Sequence, residues 1–369
     1  IEVGLQVVSR KKRDRLDRLT RAERIRLVFE ELGPTYIKLA QVLSTRPDLI
    51  PIDFVNELAR LQDHVPFFDF SNVEKILGEE FGKTTEALFD DLDPSPVASA
   101  SLGQVYLART KAGEPVAVKI QRPGIRKVIE VDLEIMLHLA TLMERHVEEM
   151  SLHQPVKIVE EFADTLEKEM DYTIEASSME RMARLYLNDD SVYIPNVYRE
   201  LTTPRILTME FVKGIKISAV DLIEDAGYDK SLITANGADL YLSQVFQHGF
   251  FHGDPHPGNI FILPGHTICL LDFGMMGTVD RRTRDLFVDL VDCIVHHEET
   301  RCTRVLLRLT EWEEEPDLRR LEKDVAEFTG HHLYKPIKEI AFGVLLKQML
   351  ELTSRHQLRI PPNLFLMMK

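Results

Sequence analysis

The chain has 369 residues and a formal net charge of −15 at pH 7, with 44% hydrophobic and 28% charged residues. This length predicts two or more structural units, and the apolar fraction is sufficient for a sizeable core. The acidic balance argues against a nucleic-acid-binding protein, whose surface would be basic.

The cysteines and the apolar segments indicate in which cellular compartment the protein is located. Cys269, Cys293 and Cys302 lack the spacing of a disulfide framework or a zinc site, which favours a reducing, cytoplasmic compartment. No stretch reaches the roughly 18 to 20 uninterrupted apolar residues of a membrane span. The apolar run at 363–368 nevertheless leads us to expect hydrophobic helices beyond Lys369.

The first ~95 residues have the apolar periodicity of helices. Gly33 and Pro34 separate two helices, because proline is well tolerated in a first helical turn. Pro51 opens a third helix. A capping-box pattern starting at Ser71 predicts a fourth, which ends at Gly82.

Beyond Pro94 the pattern changes to strands. Segments 102–109 and 115–121 predict a β-hairpin joined by a glycine-containing turn. Because side chains alternate along a strand, Val116, Val118 and Ile120 share the buried face, and Lys119 lies on the other.

The rest of the chain is predicted to be mostly helical with a few short strands. We expect helices over 124–149, 155–186 and 231–248, strands over 192–198, 205–212, 259–262 and 267–271, and helices from 281 onwards. A β-containing region followed by a helical one predicts an α+β fold with two lobes.

Five polar residues occur in the order and context required for phosphoryl transfer. Lys119 lies in mid-strand, Glu175 on a later helix, Asp254 and Asn259 in one loop, and Asp272 at a strand end. Lys119, held by Glu175, would neutralise phosphates, and Asp254 would act as the catalytic base. Asn259 and Asp272 offer the oxygen ligands that Mg²⁺ prefers.

Simpler interpretations exist for each piece alone. A strand lysine is usually solvated, an Asp-Phe-Gly tripeptide is commonly a turn, and His252 and His256 lack further ligands for zinc. We predict that His252 is a structural hydrogen-bonding residue and that Gly274 allows the sharp turn after Asp272. The ordered set favours a kinase-like site over coincidence.

Three further motifs resemble those of the UbiB-type atypical kinase-like proteins, also called the ADCK family. Lys38-Leu39-Ala40-Gln41 resembles the family's KxGQ motif, with Ala40 where glycine is usual. Ala98-Ser99-Ala100-Ser101 resembles its alanine-rich nucleotide loop, with Ser99 where alanine is common. Glu169 and Asp171 match its ExD motif, and Glu175 matches its helix glutamate.

The resemblance implies a two-lobed kinase-like fold. Residues 1–94 would form a helical extension over the cleft, 95–213 a small β-containing lobe with inserted helices, and 214–369 a helical lobe. Lys38, Gln41, Glu169 and Asp171 would have regulatory roles, with Lys38 near either Glu169 or Asp171. Backbone groups around Glu210 and Val212 would bind adenine.

The implied function is a Mg²⁺-dependent ATPase or phosphotransferase in ubiquinone biosynthesis, with ATP or ADP as the nucleotide. The implied partners are lipid or quinone intermediates, quinone-biosynthesis proteins and the inner membrane surface, bound peripherally or through a segment after Lys369. Two alternatives remain open from the residues alone. One is a small-molecule phosphotransferase of the aminoglycoside or choline kinase type, and the other a nucleotide-sensing scaffold.

Overall fold

The computed structural model describes residues 19–44, 50–61, 67–146, 154–312, 314–332 and 342–368. The chain divides into two compact units that do not follow chain order. The first unit lies within Ile1–Phe68, Ala98–Gln104 and Gln121–Thr165, and the second within Asp69–Val97, Val105–Ile120 and Leu166–Lys369. The domain boundaries predicted after residues 94 and 213 stay predictions.

Helices and short strands alternate through the first three quarters of the chain, up to Thr278, and helices make up the last quarter. The helices are α1 (Arg21–Leu32), α2 (Pro34–Ser44), α3 (Ile52–Leu58), α4 (Phe70–Phe81), α5 (Thr85–Leu88), α6 (Ile125–His146), α7 (Pro155–Glu169), α8 (Tyr172–Leu185), α9 (Val220–Asp225), α10 (Lys230–Leu242), α11 (Arg281–Val295), α12 (Glu299–Leu309), α13 (Leu318–His332), α14 (Phe342–Arg355) and α15 (Pro362–Met368). The strands are β1 (Phe89–Leu92), β2 (Ala98–Ser99), β3 (Gly103–Thr110), β4 (Pro115–Gln121), β5 (Val192–Tyr193), β6 (Ile206–Glu210), β7 (Ile215–Lys216), β8 (Phe250–His252), β9 (Ile260–Leu263), β10 (Thr267–Leu270) and β11 (Met276–Thr278). The predicted α+β class is confirmed.

The boundaries of the N-terminal helices follow from their capping residues. Thr20 and Glu23 form a capping box at the start of α1, and Gly33, with φ 104°, ends that helix before Pro34 begins α2. The predicted capping box at Ser71 is wrong. Asp69 caps α4 instead, because its carboxylate accepts a hydrogen bond from the Ser71 amide at 2.8 Å.

A sheet with strand order β1-β3-β4-β6 contains the predicted hairpin. Val116, Val118 and Ile120 are fully buried, as the alternation predicted, and Lys119 is partly exposed. Strand β6 pairs with β4 in antiparallel register, with Leu207 opposite Lys119. The lysine is therefore fixed in the middle of a rigid ladder.

The single helix predicted over 155–186 is wrong, because the chain forms two helices there. Helix α7 ends at Glu169, and α8 begins at Tyr172 after the capping residue Asp171. The Tyr172 amide donates to the Pro204 carbonyl at 3.0 Å and so leaves the helical hydrogen-bond pattern. Asp171 is therefore the cap of α8, and Glu175 lies in the first turn of that helix.

A second sheet has the strand order β5-β10-β9-β7, and a further pair is β11-β8. The loop that carries Asp254 connects β8 to β9. The predicted strand over 192–198 is reduced to Val192–Tyr193. The helix predicted over 231–248 forms as α10 and continues as a π-helix, Ser243–His248, before Gly249.

The C-terminal helices pack around their own apolar core in the second unit. Cys293 on α11 and Cys302 on α12 are buried there as free thiols, with their sulfur atoms 2.8 Å apart. Across the described ranges, no helix combines the length and the hydropathy that crossing a membrane requires.

Candidate functional site

A buried ion pair connects strand β4 to helix α8. The Lys119 ammonium group donates to both carboxylate oxygens of Glu175, at 2.9 and 3.2 Å, and lies 5.0 Å from the ring centroid of Tyr172. The Glu175 side chain is only 5% exposed. A buried charge is stable only when paired, so this contact fixes the position of α8 relative to β4.

The electrostatics of the pair keep Lys119 charged. Burial alone would lower the pKa of Lys119, but the charges of Glu175 and Asp272 outweigh it and hold that pKa well above its ordinary value. Burial raises the pKa of Glu175, and the adjacent ammonium group acts in the opposite direction. The two acidic side chains therefore favour the charged form of Lys119.

The Asp272-Phe273-Gly274 segment closes on the same ion pair. The Phe273 amide donates to Glu175 Oε1 at 3.3 Å, and Asp272 Oδ1 lies 3.9 Å from Lys119 Nζ. Three residues that are 56 and 97 positions apart in the sequence thus meet at one point. The structure thus brings the predicted lysine, glutamate and second aspartate together, and their catalytic and metal-binding roles stay predictions.

Asp272 has a left-handed backbone. Its φ is 59°, whereas Gly274 has no positive φ, so the residue that makes the turn is the aspartate and the prediction for Gly274 is wrong. Aspartate is among the few residues that tolerate this conformation. Its Oδ1 accepts from the Gly274 amide at 3.2 Å, and its side chain is 52% exposed, so the carboxylate is accessible.

His252 links the loop of Asp254 to the strand before Asp272. Its Nδ1 accepts from the Asp254 amide at 3.2 Å, which leaves Nε2 to donate to the Leu271 carbonyl at 3.2 Å. The ring also packs against Phe273 with the centroids 5.5 Å apart. Because the side chain is 2% exposed and satisfied at both nitrogens, the prediction of a structural histidine is confirmed.

Asn259 forms a backbone hydrogen bond with Leu271, which directly follows strand β10. Its carbonyl accepts from the Leu271 amide at 2.8 Å, so it lies opposite the residue that precedes Asp272. Among the described residues, no group of three or more His, Cys, Asp or Glu side chains could hold a metal ion. Two oxygen-bearing side chains suit Mg²⁺ only if phosphate oxygens or water complete the octahedron.

The segment predicted to bind adenine follows strand β6. The Glu210 carboxylate accepts from the Tyr193 hydroxyl at 2.7 Å and from the Asn196 side-chain amide at 3.1 Å. Its side chain is therefore occupied by structural contacts. Any contact with a base would come from the backbone, as predicted, and the roles of Glu210 and Val212 stay predictions.

The KxGQ-like motif belongs to the first unit. Lys38 and Gln41 are partly buried on α2, and the Gln41 carbonyl accepts from the Ser44 hydroxyl at 2.7 Å. Ala40 has no exposed surface and packs with Leu58 and Leu61, so its methyl group fills a core. The regulatory roles predicted for Lys38 and Gln41 stay predictions.

The two acidic residues of the ExD motif belong to the break between α7 and α8. Glu169 is the last residue of α7, and Asp171 caps α8 by accepting from the Thr173 amide at 2.9 Å. Their predicted regulatory role also stays a prediction. The apolar side chains Phe162, Leu166 and Met170 are buried.

The alanine-rich segment also belongs to the first unit. Ala98 and Ser99 form β2, and Ala100 and Ser101 continue into a bend before β3. The guanidinium group of Arg122 contacts three of these four residues. The predicted nucleotide role of the segment stays a prediction.

Sequence reasoning missed three supporting residues. Gln244, in the π-helix, is only 2% exposed, and its side-chain oxygen accepts a hydrogen bond from the His252 amide at 2.8 Å. Tyr172 lies beneath the Lys119 ammonium group, and Arg122 contacts the alanine-rich segment. None of the three belongs to a motif that the sequence analysis used. The only indication in the sequence was the cationic Arg122, three residues after Lys119.

Two protein-family models match most of the chain between them. The ABC1 atypical kinase-like domain matches residues 60–306, and the UbiB helical domain matches residues 325–369. Two proteins named probable protein kinase UbiB are each 34% identical. The one from Shewanella putrefaciens aligns with 94% of this chain and 64% of its own length, and the one from Aeromonas hydrophila with 95% and 65%.

A solved structure shows the shared fold. The complex of Rv3197 with erythromycin from Mycobacterium tuberculosis has a TM-score of 0.56 and 23% identity, and covers 79% of this chain and 73% of that one. Together with the matched kinase-like domain, this likeness confirms the predicted fold class. The chain spans between 50% and 65% of the length of the curated relatives it matches.

Proposed function

Because the chain belongs to the ABC1 family of atypical kinase-like proteins, with a UbiB-type helical domain, we propose that it binds ATP with Mg²⁺ and hydrolyses it or transfers its terminal phosphoryl group. The observation that carries this proposal is the meeting of Lys119, Glu175 and Asp272 at one point. A charged lysine beside an exposed carboxylate suits a metal–triphosphate pair.

Each residue has a role that its surroundings support. Lys119 would bind the phosphates, while Glu175 holds it in place. Asp272 and Asn259 would supply oxygen ligands to Mg²⁺, which in turn neutralises phosphate charge. Asp254 would orient the attacking hydroxyl or water and accept its proton.

The direct test is nucleotide binding with and without Mg²⁺. We expect Asp272→Asn to remove the Mg²⁺-dependent part of ATP affinity, because an amide supplies no charge, while asparagine still tolerates the left-handed backbone. Asp285→Asn, at an exposed carboxylate on α11, is the matched control. Binding that is equal in wild type and Asp272→Asn, and insensitive to Mg²⁺, would contradict the proposal.

A second measurement separates binding from chemistry. Asp254→Asn should bind MgATP like the wild type and lose phosphoryl transfer or hydrolysis by a factor on the order of 100 to 10,000, the usual contribution of a positioned base. An undiminished turnover rate would remove Asp254 from its proposed role.

We also propose that the protein supports ubiquinone or another isoprenoid quinone pathway, with lipid or quinone intermediates near a membrane surface. The support is the family and the relatives named UbiB. In a bacterium lacking its own UbiB-type protein, the wild-type chain should restore quinone levels and Asp272→Asn should not. Equal restoration by both would separate the pathway role from nucleotide chemistry.

A further inference from the structure

A cavity of about 660 Å³ lies beside the π-helix, entirely within the second unit. Its walls are the C-terminal end of α8, the chain that follows it, the C-terminal half of α10 and the π-helix. None of its lining residues is proposed to bind ATP or Mg²⁺. Sites for small organic molecules have volumes of about 300 to 1,000 Å³, and π-helical turns are frequent at functional sites. The cavity is therefore a candidate for a second binding site.

Hydrogen bonds fix the walls of this cavity. The Tyr186 hydroxyl, in the chain after α8, lies 2.5 Å from the Ser243 hydroxyl and so joins that chain to the π-helix. From α11, the Arg284 guanidinium group donates to the carbonyls of Phe246 and Gln247, both at 2.8 Å. Because the walls are bonded to one another and to α11, the cavity is already formed before a ligand enters, as is usual for small-molecule sites.

Three apolar side chains that line the cavity are exposed. Leu187 is 80% exposed, Leu242 51% and Phe246 37%. Single exposed apolar residues are common on protein surfaces, whereas several around one cavity are typical of a binding site. A ligand that covers them must itself carry an apolar group, and an aromatic ring would pack well against Phe246.

The charged lining residues are two carboxylates and one guanidinium group. Asp189 and Asp239 are the carboxylates, and the charge of Arg184 interacts with Glu180, which lies outside the cavity. In the ranges that the structure describes, the Asp239 side chain has no hydrogen-bond or ion-pair partner. The cavity therefore favours a positively charged polar group, in keeping with the net charge of −15, which attracts cations.

We propose that this cavity binds a small amphipathic cation, in which a protonated amine is joined to an aromatic or alkyl group. Asp239, Leu242 and Phe246 all line the cavity and follow one another at spacings of three and four residues. Such spacings place side chains next to one another on a helix surface. The ammonium group would pair with Asp239 while the apolar group covers Leu242 and Phe246.

The test uses three probes that share one phenethyl skeleton, namely phenethylamine, phenethyl alcohol and phenylpropionate. Each is titrated into the full chain without nucleotide, and its affinity is measured by ligand-observed NMR. The probes differ only in their polar group, so the difference between amine and alcohol measures the contribution of the positive charge. The affinity of the alcohol measures the contribution of the apolar surface.

We expect the amine to bind about fivefold tighter than the alcohol, and the carboxylate to bind most weakly. Asp239→Asn should weaken amine binding about three- to tenfold and leave the alcohol unchanged, because it removes only the charge. Phe246→Ala should weaken both by the same factor, about three- to tenfold. Asp221→Asn and Leu222→Ala, at exposed residues of α9 in the same unit, are the matched controls and should change neither affinity.

Two results would overturn the inference directly. The first is a wild type that does not bind the amine, or that binds amine and carboxylate equally. The second is an amine affinity that neither Asp239→Asn nor Phe246→Ala changes, because the probe would then bind elsewhere. If thermal unfolding shows that Phe246→Ala does not fold, Leu187→Ala, at the most exposed of the three apolar side chains, decides by the same comparison.

A competition experiment separates this site from the proposed nucleotide site. Saturating ATP with Mg²⁺ should leave the amine affinity unchanged. Displacement of the amine by ATP would assign the probe to the nucleotide site and overturn the inference. If the wild type binds no ATP, the proposed function alone is contradicted, and the Asp239 and Phe246 variants still decide whether the cavity binds the amine.

Discussion

Lys119 is a largely buried cation, and its acidic partners come from helix α8 and from the segment after strand β10. The sequence predicted that these residues belong to one site, because a lysine in mid-strand, a helix glutamate and a strand-end aspartate occur in the order found in kinases. It did not predict Tyr172 under the ammonium group or Gln244 behind His252. These contacts arise only when segments far apart in the sequence pack, and no local pattern encodes them.

Glu175→Gln tests the ion pair itself. We expect the free energy of unfolding to fall by about 2 to 4 kcal/mol, because the Lys119 charge stays buried without its main partner. The pKa of Lys119 should fall too, since burial then dominates over the remaining charge of Asp272. Denaturant unfolding measures the first effect, and amine acylation at pH 9, read by mass spectrometry, measures the second.

Glu180→Gln is the control for this prediction, because Glu180 lies on the same helix in a more exposed pair with Arg199. An exposed pair is worth less than about 1 kcal/mol, so stability should hardly change and Lys119 should stay unreactive. Equal stability losses in the two variants would show that the buried pair contributes no more than a surface pair.

At the scale of elements, the break between α7 and α8 decides where Glu175 lies. No glycine or proline interrupts residues 156–186, and the apolar spacing continues through it, so periodicity alone predicts one helix. The break depends on two contacts that periodicity does not represent. One is the capping bond of Asp171 to Thr173, and the other is the bond from the Tyr172 amide to Pro204.

Asp171→Ala tests whether this cap positions α8, the helix that carries Glu175. Loss of the bonds to the Thr173 amide and hydroxyl, at 2.9 and 2.6 Å, should cost about 1 kcal/mol of stability. Because Glu175 is in the first turn of α8, ATP affinity should fall as well. Calorimetric unfolding and nucleotide titration measure the two effects.

Asp69→Ala provides an unusually close control. Asp69 caps α4 through the same pair of bonds, to the Ser71 amide at 2.8 Å and its hydroxyl at 2.6 Å. Its loss should cost a similar stability and leave ATP affinity unchanged, because α4 carries no site residue. If both variants weaken ATP binding equally, the effect is one of general stability and the cap has no specific role.

At the scale of the whole molecule, the end of the UbiB helical domain contacts the loop that carries Asp254. The Tyr241 hydroxyl donates to the Met367 carbonyl at 2.8 Å, and Leu366 packs against Gly253, next to His252 and Asp254. The sequence predicted both regions, but not their contact, because more than a hundred residues separate them. The order of elements was predictable, and the pairing of remote ones was not.

The contact between Gly253 and Leu366 predicts a non-additive pair of substitutions. A Cβ atom at residue 253 would lie 2.5 Å from Leu366 Cδ2, so Gly253→Ala should cost about 1 to 3 kcal/mol of stability by overpacking. Leu366→Ala should cost a similar amount, about 1 to 3 kcal/mol, by removing packing from a partly buried side chain. In the double variant the new methyl group occupies the space that leucine leaves.

The double variant should therefore be more stable than the sum of the single losses by at least about 0.5 kcal/mol, as measured by chemical denaturation. Gly78→Ala on α4, where a Cβ meets nothing within 4 Å, should instead combine additively with Leu366→Ala. If Gly253→Ala also reduces ATP turnover and Leu366→Ala restores part of it, the C-terminal helix shapes the loop that carries Asp254. Strict additivity at residues 253 and 366 would mean that the loop and the helix adjust independently.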